Sequence, residues 1–220
     1  MDPTVLDLIW KLLVCVALGY LLGCLSPSFL IGKLRGYDVR RSGSGNAGAS
    51  NTVIMAGKLA GLAVALLDIL KAAAAWWICA ALFCEIPFAG QVGGVACLLG
   101  HIYPVFLHFR GGKGLACLGG LALAISPLTL LILFGVALLL GVITNYVCIV
   151  AVVMSVVLPL YYWYTTGYVL GACILAVPIV PIFCKHLINF RRIREGQELR
   201  LSYVFNKQKE LDRIGYEDRD

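Results

Sequence analysis

The chain has 220 residues, of which 60% are hydrophobic and only 14% charged, with a mean hydropathy of +0.89. Soluble domains carry about 45–50% apolar and about 25% charged residues, so this composition excludes a disordered chain, a nucleic-acid module and a cytosolic globular enzyme. What it fits is one all-α, polytopic integral membrane helix bundle, a single domain over 1–220 whose formal charge of +6 reports membrane orientation rather than nucleic-acid binding.

Asp2 and Asp7 precede the first apolar run, where a signal peptide would be basic, so this run reads as a retained first span. Apolar stretches occupy about 6–32, 59–84, 86–107, 115–126, 128–143, 146–163 and 168–184. Three polar segments separate them: Lys33–Lys58, His108–Gly114, and everything after Lys185. Arg35, Arg40, Arg41 and Lys58 mark the first, Arg110 and Lys113 the second, and Arg191, Arg192 and Arg194 the third. The connections at Glu85 and Tyr164–Tyr168 carry neither lysine nor arginine. Positive charge is retained on the cytoplasmic side, which puts all three polar segments there.

That parity requires a break at Ser126-Pro127, where proline removes a helical hydrogen bond. Seven spans result, with the N-terminus outside and the C-terminus cytoplasmic. The fourth, 115–126, is then only about 18 Å long as a helix and must be short, tilted or covered by protein. The tail over 185–220 reads as cytoplasmic, its basic first half as an interfacial helix on anionic headgroups and its acidic end, Glu217–Asp220, as solvated. Nine cysteines include no Cys-x-x-Cys pair, and Cys15, Cys24, Cys79, Cys97, Cys148 and Cys173 read as small core residues.

The first polar segment contains Gly43-Ser44-Gly45-Asn46-Ala47-Gly48-Ala49-Ser50-Asn51-Thr52. It holds a literal G-x-G-x-x-G with Asp68 twenty residues beyond, but Asp68 lies inside an apolar run long enough to cross a bilayer, so no βαβ dinucleotide unit exists. The glycines instead allow backbone N–H groups to converge on an anion ahead of a helix N-terminus, with Ser44, Asn46, Asn51 and Thr52 as added donors.

The second segment runs from His101-Ile102-Tyr103-Pro104 to Phe109-Arg110-Gly111-Gly112-Lys113-Gly114. A lysine among glycines at the entry to an apolar helix suits a phosphate; a topological anchor with a tight turn suits it equally. In the third segment His186 and Asn189 share one helical face, where a histidine could move a proton, donate to an oxyanion or simply sit at the interface. The histidines have no carboxylate close in sequence, so neither a metal nor a tightly bound cofactor is expected. Asp68 and Lys71, three apart within the second span, read as a structural pair near the site.

Together these segments resemble the bacterial PlsY family, the acyl-phosphate-dependent glycerol-3-phosphate acyltransferases of the inner membrane. Ser44–Asn51 is similar to the family's SGNPGATN loop, Gly100–Gly114 to GHxFPxFxxFKGGKG, and the stretch with His186, Asn189, Arg192, Gly196 and Glu198 to RHxxNIxRLxxGxE. The resemblance implies transfer of an acyl group from acyl phosphate to the sn-1 hydroxyl of glycerol 3-phosphate, giving lysophosphatidic acid and phosphate. It casts Ser44, Lys113, His186 and Asn189 as active-site groups and Glu198 as structural. Gly43, Gly45, Asn46, Gly48, Asn51, Thr52, His101, Gly111, Gly112, Gly114 and Arg192 are then the expected substrate-binding residues. Competing readings are a non-catalytic relative that binds such precursors, and a small transporter using Asp68 and Lys71.

Ala47, Ser50 and Lys185 replace the family's proline, threonine and arginine, and Ile54 stands where the family has an arginine among its functional groups. Isoleucine cannot bind phosphate, so either Arg40, Arg41 or Arg110 supplies that charge or this chain has a weakened or altered activity. Ile54→Arg is expected to raise kcat/KM for glycerol 3-phosphate in a labelled-substrate assay; an unchanged or lower value means another residue already fills the role.

Overall fold

The computed structural model describes residues 3–204 and 206–214. Among them there is no strand. The helices are α1 (Pro3–Cys24), α2 (Pro27–Leu34), α3 (Ala49–Ala56), α4 (Lys58–Leu82), α5 (Ala89–Ile102), α6 (Leu115–Ile125), α7 (Pro127–Thr144), α8 (Val147–Thr166), α9 (Val169–Ala176), α10 (Ile179–Arg194) and α11 (Lys207–Ile214), with single 3₁₀ turns at Val105–Leu107 and Leu201–Val204.

Six described segments are long and apolar enough to cross a bilayer: Thr4–Leu34, Lys58–Leu82, Ala89–Leu107, Pro127–Thr144, Val147–Thr166 and Val169–Arg194. The shorter α6 completes the set of seven apolar stretches seen in the sequence. Its brevity is tolerated because neighbouring helices enclose it: Cys117, Leu118, Leu121 and Ala122 are buried, and Gly120 lies directly against the Ile69 carbonyl of α4. The break at Ser126-Pro127 falls where proline demands it. Pro127 takes the first helical position, and the Ser126 hydroxyl caps α7 by accepting the Thr129 amide at 2.9 Å.

The core follows membrane packing rules. Leucine is as comfortable in lipid as in a protein interior, so close backbone contact between small residues holds the helices together. Gly19 and Gly23 of α1, four apart, face α5; a Cβ on Gly23 would lie 2.0 Å from the Cys97 carbonyl oxygen, and one on Gly19 would lie 2.1 Å from that of Gly93. Large side chains such as Leu13, Leu66, Leu139 and Val142 point outward, as a lipid-facing surface requires. Cys15, Cys24, Cys79, Cys97 and Cys148 are buried as expected, whereas Cys173, expected in the core, is exposed.

The ends of the bundle separate by charge. Lys11 bridges Asp7 (2.6 Å) and Glu85 (2.8 Å), joining the start of α1 to the α4–α5 connection. At the opposite end the three polar segments gather. Arg40 donates to the Leu107 carbonyl, Lys113 reaches Asn189, and the Leu201 amide donates to the carbonyl of Asn145 in the α7–α8 turn at 2.7 Å.

The tail differs from the sequence expectation. No separate interfacial helix begins at Lys185: α10 runs unbroken from Ile179 to Arg194, because His186 and Asn189 are buried on its inner face and draw it along the bundle. The chain leaves the helix at Glu195, and Gly196 (φ +72°) turns it back. Arg213 of α11 then ties down the returning strand of chain by donating to the Gly196 and Glu198 carbonyls, both at 2.6 Å. The acidic end at Glu217–Asp220 lies outside the described residues.

Gly23→Ala is expected to cost about 1–3 kcal/mol by overpacking, seen as a lower thermal midpoint in detergent. Gly135→Ala, where a methyl meets nothing within 4 Å, should leave the midpoint unchanged or raise it through better helix propensity, worth about 1 kcal/mol.

Candidate active site

The first loop is organised from below by α3. Asn51, fully buried, accepts the Ser44 amide at 2.8 Å through Oδ1 and donates through Nδ2 to the Val39 and Ser42 carbonyls, each at 3.0 Å. Thr52, equally buried, donates to the Gly48 carbonyl and shares a 2.8 Å hydrogen bond with the Ser28 hydroxyl of α2. Gly43 (φ +60°) and Gly45 (φ +73°) supply the left-handed turns, and Gly43 also lacks room for a side chain, since a Cβ would lie 2.3 Å from Asn51 Oδ1. The result is a fixed loop with Ser44 exposed at its crest, its hydroxyl making no hydrogen bond among the described residues. Asn46 is half-buried beside Gly48, the residue that opens α3 without a side-chain cap, so the helix presents unsatisfied N–H groups there.

The second loop is built on a buried charge cluster. Lys71 Nζ lies 2.7 Å from Asp68, 3.1 Å from His101 Nδ1, and donates to the carbonyls of Gly23 (3.1 Å) and Leu25 (2.7 Å), where the first apolar stretch breaks between α1 and α2. The His101 ring fills the space beside Gly112, where a Cβ would meet Nε2 at 2.1 Å. The backbone closes the same contact: Gly112 N–H donates to the His101 carbonyl at 3.0 Å and Gly111 N–H to that of Ile102 at 3.3 Å. Gly114 (φ +91°) then turns the chain into α6.

Asp68, His101 and Cys117 approach within 4.8 Å of one another, so His101 has a carboxylate neighbour that is remote in sequence. This set would suit a divalent metal poorly, because the Lys71 ammonium already sits on Asp68 and His101 as the balancing cation.

The third segment supplies an ordered chain of polar groups. Lys113 Nζ donates to Asn189 Oδ1 at 2.6 Å, and Asn189 Nδ2 donates to Glu198 Oε1 at 2.7 Å. The amide is thereby fixed between a cation and an anion, its oxygen toward one and its nitrogen toward the other. Burial holds the Lys113 ammonium below its ordinary pKa of 10.5; Glu198 opposes that shift, while Arg192 and Lys185 reinforce it. The His186 Nδ1–H donates to the Ile182 carbonyl at 2.8 Å, which leaves Nε2 as the ring's acceptor nitrogen. Arg192 holds the turn through its own carbonyl, which accepts the Gln197 and Glu198 amides. Lys185 stands over the Tyr103 ring at 4.6 Å.

The loops meet. A Cβ on Gly48 would lie 3.9 Å from the Gly112 Cα, next to Lys113. The structure therefore brings the Gly43–Gly48 loop, Gly111–Gly114, Lys113, Asn189 and Glu198 to one end of the bundle. It places Asn51, Thr52 and His101, expected among the substrate-binding residues, beneath the loops with polar atoms bonded to protein. Sequence reasoning assigned no role to Ser28, which braces Thr52, or to His108. No spacing signal marks either, because Thr52 lies on another helix and His108 shares a cleft with Arg40 and Arg41 of a different loop.

The sequence profile of the family described as glycerol-3-phosphate acyltransferase matches residues 13–196. A glycerol-3-phosphate acyltransferase of Sinorhizobium fredii is 37% identical over 190 residues, covering 86% of this chain and 92% of the relative. That of Photobacterium profundum is 38% identical over 196 residues, covering 87% and 94%. Crystal structures of PlsY (YgiH), an integral membrane glycerol 3-phosphate acyltransferase, in its glycerol 3-phosphate and lysophosphatidic acid forms each superpose with a TM-score of 0.77 at 33% identity. They cover 88% of this chain and 97% and 98% of theirs. Matched along most of its length in both sequence and helix arrangement, this chain belongs to the glycerol-3-phosphate acyltransferase family of integral membrane proteins.

Proposed function

We infer that the chain moves a fatty acyl group from acyl phosphate to the sn-1 hydroxyl of glycerol 3-phosphate, releasing lysophosphatidic acid and inorganic phosphate. The observation that carries this reading is the Glu198–Asn189–Lys113 chain ending against the two glycine loops. It presents one oriented ammonium beside the uncapped N-terminus of α3, whose first N–H groups have no protein acceptor among the described residues. The solved relatives with glycerol 3-phosphate and lysophosphatidic acid support the substrate class.

Acyl phosphate is already activated, so no covalent enzyme intermediate is needed. The glycerol hydroxyl oxygen attacks the acyl carbon, the bond from that carbon to the phosphate oxygen breaks, and the departing phosphate takes the hydroxyl proton. Lys113 and the uncapped amides at the start of α3 would stabilise the negative charge that develops, while Ser44, His186 and Arg192 align the two substrates. Ser44 would act as a hydrogen-bonding group rather than an acylated nucleophile, since no base is bonded to it.

The reading includes seven spans, an outer N-terminus and an active site at the cytoplasmic face of the bacterial inner membrane. Its support is the clustering of the Lys- and Arg-bearing segments at one end of the bundle. Purified protein in vesicles, given labelled glycerol 3-phosphate and acyl phosphate, should form lysophosphatidic acid. Binding without turnover would overturn the catalytic reading.

Removing the ammonium by Lys113→Met should lower kcat about 10²–10³-fold, the cost of deleting one transition-state donor. The pH profile carries a further sign. A lysine with a lowered pKa keeps its charge only below that pKa, so activity should fall on the alkaline side before pH 10.5. Lys113→Arg should move that limb upward, because guanidinium stays charged, while lowering the maximal rate. An unmoved limb would show that another group sets it.

A further inference from the structure

Upstream of the two glycine loops, their preceding limbs enclose a separate cleft of about 380 Å³ lined by Arg40, Arg41, His108 and Arg110. Lys113 and Asn189 do not line it. The geometry points to a second anion site here, one that recognises a terminal phosphate, either a monoester or an acyl phosphate, beside the reacting centre.

One wall is prebuilt. Arg40 grips Asp38 through Nε (3.0 Å) and Nη2 (2.7 Å), donates from Nη1 to the Leu107 carbonyl at 3.4 Å, and lies over the Phe29 ring at 5.3 Å. This arginine thus pins the first limb to the second and spends its charge on Asp38. The carboxyl of Asp38 is held at about 2 by that contact, so it stays ionised at any working pH.

The Arg41 and Arg110 side chains are exposed and have no hydrogen bond or ion pair among the described residues. Three guanidinium groups therefore face one carboxylate, leaving two positive charges before His108 is counted. A cleft that gathers three guanidinium groups against a single carboxylate matches a ligand that brings two negative charges. Terminal phosphate does so, and its oxygens fit paired guanidinium forks. A phosphodiester headgroup has one charge and fewer free oxygens.

The backbone serves the same arrangement. His108 (φ +54°) and Phe109 (φ +60°) are consecutive non-glycine residues in the left-handed region. This reversal brings His108 and Arg110 into the cleft while Phe109 stays exposed. Exposed Phe106 and Phe109, flanking His108 in the chain, place the cleft at the boundary between apolar and polar surface. A phosphate can reach it from the water or on an amphiphile from the bilayer. That the phosphate belongs to a substrate or product rests on the function proposed above; recognition of the terminal phosphate does not.

The test uses full-length protein in phosphatidylcholine nanodiscs, with calorimetric binding of dodecyl phosphate, glycerol 3-phosphate and dodecylphosphocholine. The double variant Arg41→Gln/Arg110→Gln should bind one or both terminal phosphates about tenfold or more weakly, the loss expected from charged hydrogen bonds. Arg41→Lys/Arg110→Lys should retain most of the affinity. A loss confined to dodecyl phosphate assigns the site to a bilayer amphiphile, and one confined to glycerol 3-phosphate assigns it to the water-side substrate. Unchanged binding of both, or an equal loss for the phosphocholine diester, overturns the proposal. An unchanged thermal midpoint confirms that the variants fold. If terminal-phosphate binding depends on these arginines in a protein that forms no lysophosphatidic acid, the cleft stands and the acyltransferase reading fails. If lysophosphatidic acid forms while binding ignores them, the opposite holds.

Discussion

The buried Lys71 ammonium is the interaction on which the loop end of this bundle depends. A cation at membrane depth must be surrounded by acceptors, because neither water nor lipid will solvate it there. Its partners come from three directions: Asp68 on its own helix, the Gly23 and Leu25 carbonyls where the first span breaks, and the His101 ring on α5. Removing any one partner leaves a polar group stranded in an apolar interior. The network therefore fixes where α1 ends, how α4 turns and where His101 stands.

His101 passes that constraint to the chemistry. Its ring occupies the volume that a side chain at position 112 would need, and its carbonyl accepts the Gly112 amide. Glycine there is a steric requirement, and its amide is spent on that carbonyl. The adjacent Lys113 can then reach Asn189. A parallel logic governs the first loop, where Asn51 commits both side-chain donors and its carbonyl oxygen to backbone groups of the segment it underlies. In both places a buried polar side chain holds a glycine-rich segment in place, so the proposed anion site is organised before any ligand arrives. Such preorganisation is what makes donors effective toward developing charge.

Much of this was legible in order along the chain. The apolar runs located the spanning segments, and Ser126-Pro127 located the break between α6 and α7, because a missing N–H and a hydroxyl cap act locally. The distribution of lysine and arginine separated the polar ends. Spacing of three also placed Asp68 beside Lys71. The burial of Asn51, Thr52 and His101 was less accessible. Donor-rich residues beside glycines look like ligand contacts in a linear reading, and only packing shows which of them point inward. Likewise the basic stretch after Lys185 looked interfacial, yet its inward face carries His186 and Asn189, so it continues the last spanning helix.

Composition and local pattern determined the membrane environment, the apolar stretches with their break at Ser126-Pro127, and the three segments rich in glycine, serine and basic groups. These follow from hydrophobicity, proline geometry and residue type, all of which act over a few neighbours. Tertiary structure decided the rest: that Lys113 meets an asparagine 76 positions away, that His101 supports a loop rather than facing it, and that Arg40, Arg41, His108 and Arg110 share one cleft. Such contacts depend on how closely α1 and α5 approach through Gly19 and Gly23. That distance is set by backbone-to-backbone packing, which no local stretch of sequence contains.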